Sequence, residues 1–367
     1  MDNIIEVQSL RKSYKELVAV KSLSFEVKEG EFLSLLGASG CGKTTTLRMI
    51  AGLEQPNSGQ MFFRGEDITQ RPPAQRNMRM VFQDFALFPN LSVWENVAFG
   101  LRLRIQRGRT STAEIQSRVG KMLEIVQLSG HAEKAPHQLS GGQKQRVALA
   151  RALVTDPPVV LFDEPLGSLD AAMRKTMQLE LKRLHRDLQK TFIYVTHDQE
   201  EAMGLSNRVA VMQGGEILQL SPPEEIYARP ISVAVAKFVG TANILAGTVE
   251  SSGQRAWVHL SGGAKLPLGN EWRKPTVAKS TAFMVRAEKV RIDGTDGQSS
   301  ESLRAKVVER LFLGEKIRYE LELLEGGLRL TVLDGSRARD FAVNDVVSLT
   351  VDPADIHVID DKSAGKT

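Results

Sequence analysis

The run Gly37-Ala38-Ser39-Gly40-Cys41-Gly42-Lys43-Thr44 fits the spacing G-x-x-x-x-G-K-S/T without a gap, and each residue type in it has a task in holding a phosphate chain. Glycines let backbone N–H groups curl around phosphate oxygens, the Lys43 ammonium adds charge at the β/γ end, and the Thr44 hydroxyl is placed for Mg²⁺. The expected ligand is ATP or GTP. A second group with chemistry stands at Asp163-Glu164, behind the apolar run Val159-Val160-Leu161-Phe162, which has the form of a buried parallel strand delivering acids at its C-terminal end. Asp163 suits Mg²⁺, through water or Thr44, and Glu164 suits a proton taken from an attacking water. Neighbouring side chains on a strand point opposite ways, so both acids serve one ligand only if the strand stops at Asp163, and Pro165 favours that stop.

Leu139-Ser140-Gly141-Gly142-Gln143 opens a helix with a good N-cap and two glycines, again a backbone anion site. One nucleotide does not need two such grips from one chain. The economical expectation is that the second serves nucleotide on another copy; the plainer alternative is an ordinary glycine-rich cap. His197 follows the strand-like run Thr191–Thr196 and is either within reach of a γ-phosphate or a cap for the helix beginning at Gln199. Gln83, after Met80-Val81-Phe82, offers an uncharged amide to a metal or water, and the aromatic loop Phe85 to Pro89 beside it is either a partner surface or a turn whose rings pack down. Tyr14 could stack on a base or sit half-buried in a strand. Cys41, the one cysteine, excludes an intramolecular disulfide, and its alkylation is expected to block nucleotide binding.

The elements around these groups read in order. Glu31 to Leu36 is a short buried strand, and Thr45 to Ile50 opens a helix whose N-terminus faces the phosphates. Ile4–Val7 and Leu23–Val27 alternate as antiparallel strands. Ile115, Val119, Met122, Leu123 and Val126 keep helical spacing, as do Met173, Met177, Leu181, Leu184 and Leu188. From about residue 241 the pattern changes to short alternating runs broken by Ser261-Gly262-Gly263 and Glu325-Gly326-Gly327, the mark of β-hairpins in a small barrel. The expectation is two domains, 1–240 of α/β class with a helical part near 90–155, and 241–367 mostly β. A chain of 367 residues has room for both. With no apolar run of ~18–20 residues and no leader-like start, the protein is expected in the cytoplasm. A net charge of +4 is too small to demand nucleic acid, and the β region lacks the aromatic and basic strand face that single strands require.

Taken together, the phosphate loop, Gln83, the Leu139–Gln143 string, the Asp163-Glu164 strand, the turn ending at Asp170 and His197 resemble, in that order, the ATP-binding subunits of ABC transporters. The C-terminal segments resemble the OB-like regulatory domain of importer ATPases. The resemblance implies a P-loop NTPase fold, a head-to-tail dimer with ATP between the P-loop of one copy and Ser140-Gly141-Gly142 of the other, and two membrane permease subunits with a solute-binding protein beyond them. It places the chain on the cytoplasmic face of the inner membrane. It also makes Tyr14 the adenine-stacking ring, Gln83 the contact to Mg²⁺ and water, Asp163 the metal carboxylate, Glu164 the base, His197 the γ-phosphate switch, and Asp170 a contact to the opposite copy. Met173–Lys182, Thr196–Ala202 and the stretch from Val81 to Pro89 look most like spermidine/putrescine importers; quaternary amines, phosphonates, iron, sulfate and sugars are the alternative solutes. A soluble ABC ATPase without a transport role is the other class. Two positions depart from the pattern: Ala287 stands where proline is usual, and Gly167 where alanine or serine is frequent.

Overall fold

A computed structural model describes residues 2–105, 111–252, 255–269, 281–294, 302–335 and 339–359. The chain separates into two compact units, Met1–Pro223 and Glu224–Thr367.

The first unit runs β1 (Asn3–Tyr14), β2 (Leu17–Lys28), β3 (Phe32–Gly37), α1 (Lys43–Ala51), β4 (Ser58–Phe63), β5 (Glu66–Asp67), β6 (Met78–Val81), α2 (Val93–Ile105) and α3 (Thr112–Ile125). It continues with α4 (Gly141–Leu153), β7 (Val159–Asp163), α5 (Ala171–Leu188), β8 (Thr191–Thr196), α6 (Gln199–Leu205), β9 (Arg208–Gln213) and β10 (Glu216–Ser221). Six strands in the order β10-β9-β3-β8-β7-β6 make the central sheet, parallel except at β10. The inner strands β3, β7 and β8 are fully buried and mostly apolar because both faces are covered, whereas the edge strand β10 keeps Glu216, Gln219 and Ser221. The period of two sorts them: Leu33, Leu35, Leu161, Ile193 and Val195 face one core with Ile5, Val7 and Leu47, whereas Phe32, Phe162, Phe192 and Tyr194 face another with Leu149, Met177 and Leu181. The antiparallel sheet β2-β1-β4-β5 supplies the cover on the first face.

Helices α2, α3 and α4 enclose a core of their own, with Val97, Leu101, Ile115, Val119, Leu123 and Val147. In α3 the expected apolar beat is what becomes buried, and Ser111 caps the start by accepting from Glu114 N at 3.2 Å. In α5 the same holds for Met177, Leu181 and Leu184.

The second unit contains α7 (Pro223–Ala228), α8 (Val233–Phe238), β11 (Ala242–Ser252), β12 (Arg255–Leu260), β13 (Lys265–Leu268), β14 (Thr281–Arg286), β15 (Val290–Asp293), β16 (Leu303–Phe312), β17 (Ile317–Leu323), β18 (Arg329–Asp334), β19 (Val346–Val351) and β20 (His357–Ile359). Two five-stranded sheets, β13-β12-β11-β14-β20 and β15-β19-β16-β17-β18, share one core around Leu245, Phe283, Ala305, Tyr319 and Leu349. Asn243 joins them by donating to Thr331 O at 2.8 Å and accepting from Thr331 N at 2.7 Å. This is the mostly β, OB-like arrangement expected, with both glycine-broken hairpins in place.

The compact division falls at Pro223, ahead of the expected 240, and Arg286 supplies the reason. It is 3% exposed and donates to the carbonyls of Tyr227, Ala236 and Val239, which fastens α7 and α8 to β14. Ala287 uses its N–H on Thr241 O at 3.1 Å, a bond that proline in that place would forfeit.

Candidate nucleotide-binding site

The phosphate loop leaves β3 at Gly37 and enters α1 through Gly42, whose φ of 101° is in the left-handed region. A Cβ there would also stand 2.4 Å from Ala19 O, so conformation and space both demand glycine. Lys43 is buried, and its ammonium donates to Gly37 O at 2.7 Å and Ala38 O at 3.0 Å. A positive charge is thereby held beneath the loop by its own carbonyls. Cys41 is 6% exposed, with its thiol packed against Gly37, so alkylation has to wait for the loop to open.

At the sheet edge above the loop, Thr44 donates its hydroxyl to Asp163 Oδ1 at 2.8 Å. Asp163 ends β7 and is buried. Burial pushes its carboxyl above the usual range, against the pull of the Thr44 hydrogen bond and of Arg48 and Lys43, while the charge of Glu164 pushes the same way as burial. The strand does stop at Asp163: Glu164 turns to φ 44°, its N–H bonds Val195 O at 3.0 Å, and its carboxylate meets His197 Nδ1 at 3.1 Å. Strands β7 and β8 are adjacent and parallel, which is why their C-terminal ends bring Asp163, Glu164 and His197 together.

The remaining sequence-derived residues lie as follows. Gln83 is exposed, its amide nitrogen 3.7 Å from where a Cβ on Gly167 would be. That distance is ordinary contact, so alanine would fit at Gly167. Tyr14 ends β1 and is 41% exposed, with the Lys12 ammonium 5.0 Å from its ring centre. Asp170 caps α5, accepting from Met173 N at 2.9 Å. Ser140 and Gln143 form a reciprocal capping box at α4, with bonds of 3.3 and 3.0 Å, and the Gln143 amide also meets His131 at 3.1 Å. Within this chain, then, the second grip pairs with itself. Gly141 is exposed, and Gly142 is pressed so closely on Met173 that a Cβ would lie 2.6 Å from its sulfur.

Of the aromatic loop, Phe85 is 8% exposed and belongs to the core. Phe88 and Phe99 are each 37% exposed and stack at 4.4 Å. One set of residues carried no local signal in the sequence. Arg174 donates to Leu169 O at 3.1 Å and to Asp198 Oδ2 at 3.4 Å, tying the turn before Asp170 to the segment after His197. Beside it Glu201, 3% exposed, accepts from Tyr194 at 2.7 Å and Thr196 at 2.8 Å.

Residues 20–167 match the family model for the ABC transporter, and residues 283–359 that for the TOBE domain. A spermidine/putrescine import ATP-binding protein of Rubrobacter xylanophilus is 47% identical over 326 residues, 88% of this chain and 84% of that one. The protein of the same name from Acetivibrio thermocellus is 39% identical over 364 residues, 99% and 98% of the two chains. Among solved structures, cbiO1 from Clostridium perfringens, part of the ABC transporter complex cbiONQ, gives a TM-score of 0.57 at 30% identity over 62% of this chain and 92% of that one. The dimeric post-hydrolysis structure of MJ0796 bound to ADP and Pi gives 0.53 at 33% identity over 60% and 98%. Because the Acetivibrio match runs nearly end to end, the likeness takes in both units as well as the nucleotide site, and the chain belongs to the family of ABC transporter ATP-binding proteins.

Proposed function

We propose that this chain is the ATP-hydrolysing subunit of a bacterial ABC importer for polyamines, spermidine and putrescine. The name of the relatives, spermidine/putrescine import ATP-binding protein, supports the solute, and the sheet edge at Asp163-Glu164 supports the chemistry. The observation that carries the reading is the Glu164–His197 contact of 3.1 Å beside the Thr44–Asp163 bond.

ATP is gripped by the backbone of Gly37 to Gly42 and by Thr45 at the start of α1, with Tyr14 against the adenine. Lys43 exchanges its two loop carbonyls for phosphate oxygens. Mg²⁺ fits the donors present: Thr44 and Asp163 form an oxygen-only pair, with Gln83 in addition, and among the described residues no group of three or more His, Cys, Asp or Glu forms a cage. Such sparse ligation suits an ion that keeps phosphate oxygens and waters in its shell. When bound, the ion would neutralise charge growing on the phosphates. Glu164 takes the proton of the attacking water, and His197 holds that carboxylate and faces the γ-phosphate.

Ser140-Gly141-Gly142, with Gln143, grips ATP held by a second copy, and Asp170 meets that copy across the interface. Two membrane permeases and, through them, a solute-binding protein complete the assembly, with this chain peripheral on the cytoplasmic face. No helix among the described residues is long and apolar enough to cross a membrane. The first unit, to Pro223, acts as the motor and the second, from Glu224, as the regulatory part.

The test is uptake of labelled putrescine and spermidine in cells lacking the gene. Uptake restored by wild type and not by Glu164→Gln supports the reading. Polyamine uptake that persists without the gene removes the solute assignment.

A further inference from the structure

The loop that carries Gln83 contains two consecutive non-glycine residues in the left-handed region, Phe85 at φ 63° and Ala86 at φ 45°. Such a pair is disfavoured unless its surroundings over-determine it. Here the Phe85 N–H bonds Phe82 O at 3.0 Å, and one side chain holds the two carbonyls of the pair. Arg151, on the last turn of α4, spreads its guanidinium over both carbonyls, Nη1 donating to Ala86 O at 2.6 Å and Nη2 to Phe85 O at 2.8 Å. A planar fork of donors suits two adjacent carbonyls better than a point charge.

The same guanidinium lies 5.5 Å from the centre of the Phe88 ring, and the Phe85 ring is packed with Ala148, Leu149 and Ala152 of α4. Asn96 of α2, fully buried, fixes the far end of the loop by accepting from Phe88 N at 2.9 Å and donating to Phe88 O at 3.1 Å. The helix that starts at Ser140 and the loop that starts at Gln83 are therefore one mechanical piece.

We propose that Arg151 is a positioning residue for hydrolysis: it holds the strained Phe85-Ala86 turn to α4, so that Gln83 stays beside Gly167 and moves with α4. The inference rests on the reading of Gln83 as a contact to metal and attacking water.

The experiment compares kcat and KM for MgATP in wild type, Gln83→Ala, Arg151→Ala, Arg151→Lys and the Gln83→Ala/Arg151→Ala pair. Binding of a fluorescent ATP analogue to the full chain serves as the folding control. Arg151→Ala is expected to lower kcat about tenfold with KM changed less than about twofold, and the pair to be no slower than Gln83→Ala alone. Arg151→Lys, able to satisfy one carbonyl, falls between; it carries the test if Arg151→Ala does not fold. Independent, multiplying losses in the pair, or a normal kcat in both Arg151 variants, overturn the inference while leaving Gln83 its role. A Gln83→Ala variant of normal kcat overturns both.

Discussion

His197 Nδ1 lies 3.1 Å from Glu164 Oε2, although the two residues follow different strands, β8 and β7. An ionised carboxylate has no proton to give, so the ring donates and Glu164 accepts. That bond fixes the direction of the carboxylate proposed as the base. His197→Ala should therefore lower kcat by roughly a hundredfold, within the range of a lost acid–base partner, with KM for ATP nearly unchanged. Steady-state kinetics on the purified chain checks it; a large rise in KM with normal kcat would assign His197 to ground-state binding instead.

Glu201 gives a pH dependence with a definite sign. Burial raises its pKa, opposed by hydrogen bonds from Tyr194 and Thr196; the Asp198 charge adds to the rise and Arg174 acts against it. A carboxyl with a raised folded pKa binds more protons folded than unfolded, so stability is greatest below the unfolded pKa and is lost as pH rises through the folded one. The slope cannot exceed ~1.4 kcal/mol per pH unit for one group. Glu201→Gln keeps an acceptor for both hydroxyls and should flatten the thermal midpoint between weakly acidic and neutral pH. An unchanged pH profile would remove Glu201 as its source.

Arg76 is 2% exposed and donates to the carbonyls of Met49, Ile50, Thr69 and Arg71, closing the C-terminal end of α1. Burial pulls its pKa down to about 10. Arg76→Met keeps much of the volume and strands those carbonyls, which should cost on the order of 3 kcal/mol. In a unit of this size that lowers the melting temperature by roughly 6–12 °C. Calorimetry decides; a loss within experimental error would mean water replaces the guanidinium without penalty.

Of the loop rings read as a partner surface, Phe85 is core, and an aspartate there would unfold the loop. Phe88 stays exposed, and Phe99 of α2, not singled out in the sequence, is exposed beside it with the rings tilted at 4.4 Å. Phe99→Asp should lower uptake per ATP hydrolysed and weaken recovery with membranes. If both quantities match wild type, this surface is not where the permeases dock.

Strands β3, β7 and β8 were legible because both faces are buried and their apolar runs are nearly unbroken, whereas β9 and β10, which carry polar residues, were not legible as strands. The stop at Asp163 was legible from Pro165. The phosphate loop and the acids needed only spacing. What local sequence hides is the partner of a long polar side chain: Arg76, Arg151 and Arg286 look like solvated charges and reach backbone carbonyls far away in the chain, and Arg174 reaches the distant Asp198 carboxylate. Arg286 also displaced the boundary between units, since the two short helices it holds carry no mark of the sheet they join. The left-handed turn at Glu164, which lets both acids face the sheet edge, likewise has no glycine to announce it.

In the proposed function two copies close head to tail, with one ATP between the phosphate loop of one and Ser140-Gly141-Gly142 of the other. The direct measurement is the mass in solution of Glu164→Gln with ATP and Mg²⁺, by light scattering after gel filtration, with Ser140→Arg in the same background. Glu164→Gln should be a dimer with ATP and a monomer without it, and Ser140→Arg should abolish the dimer while the P-loop still binds nucleotide. A Glu164→Gln protein that binds ATP and stays monomeric would contradict the shared-site mechanism.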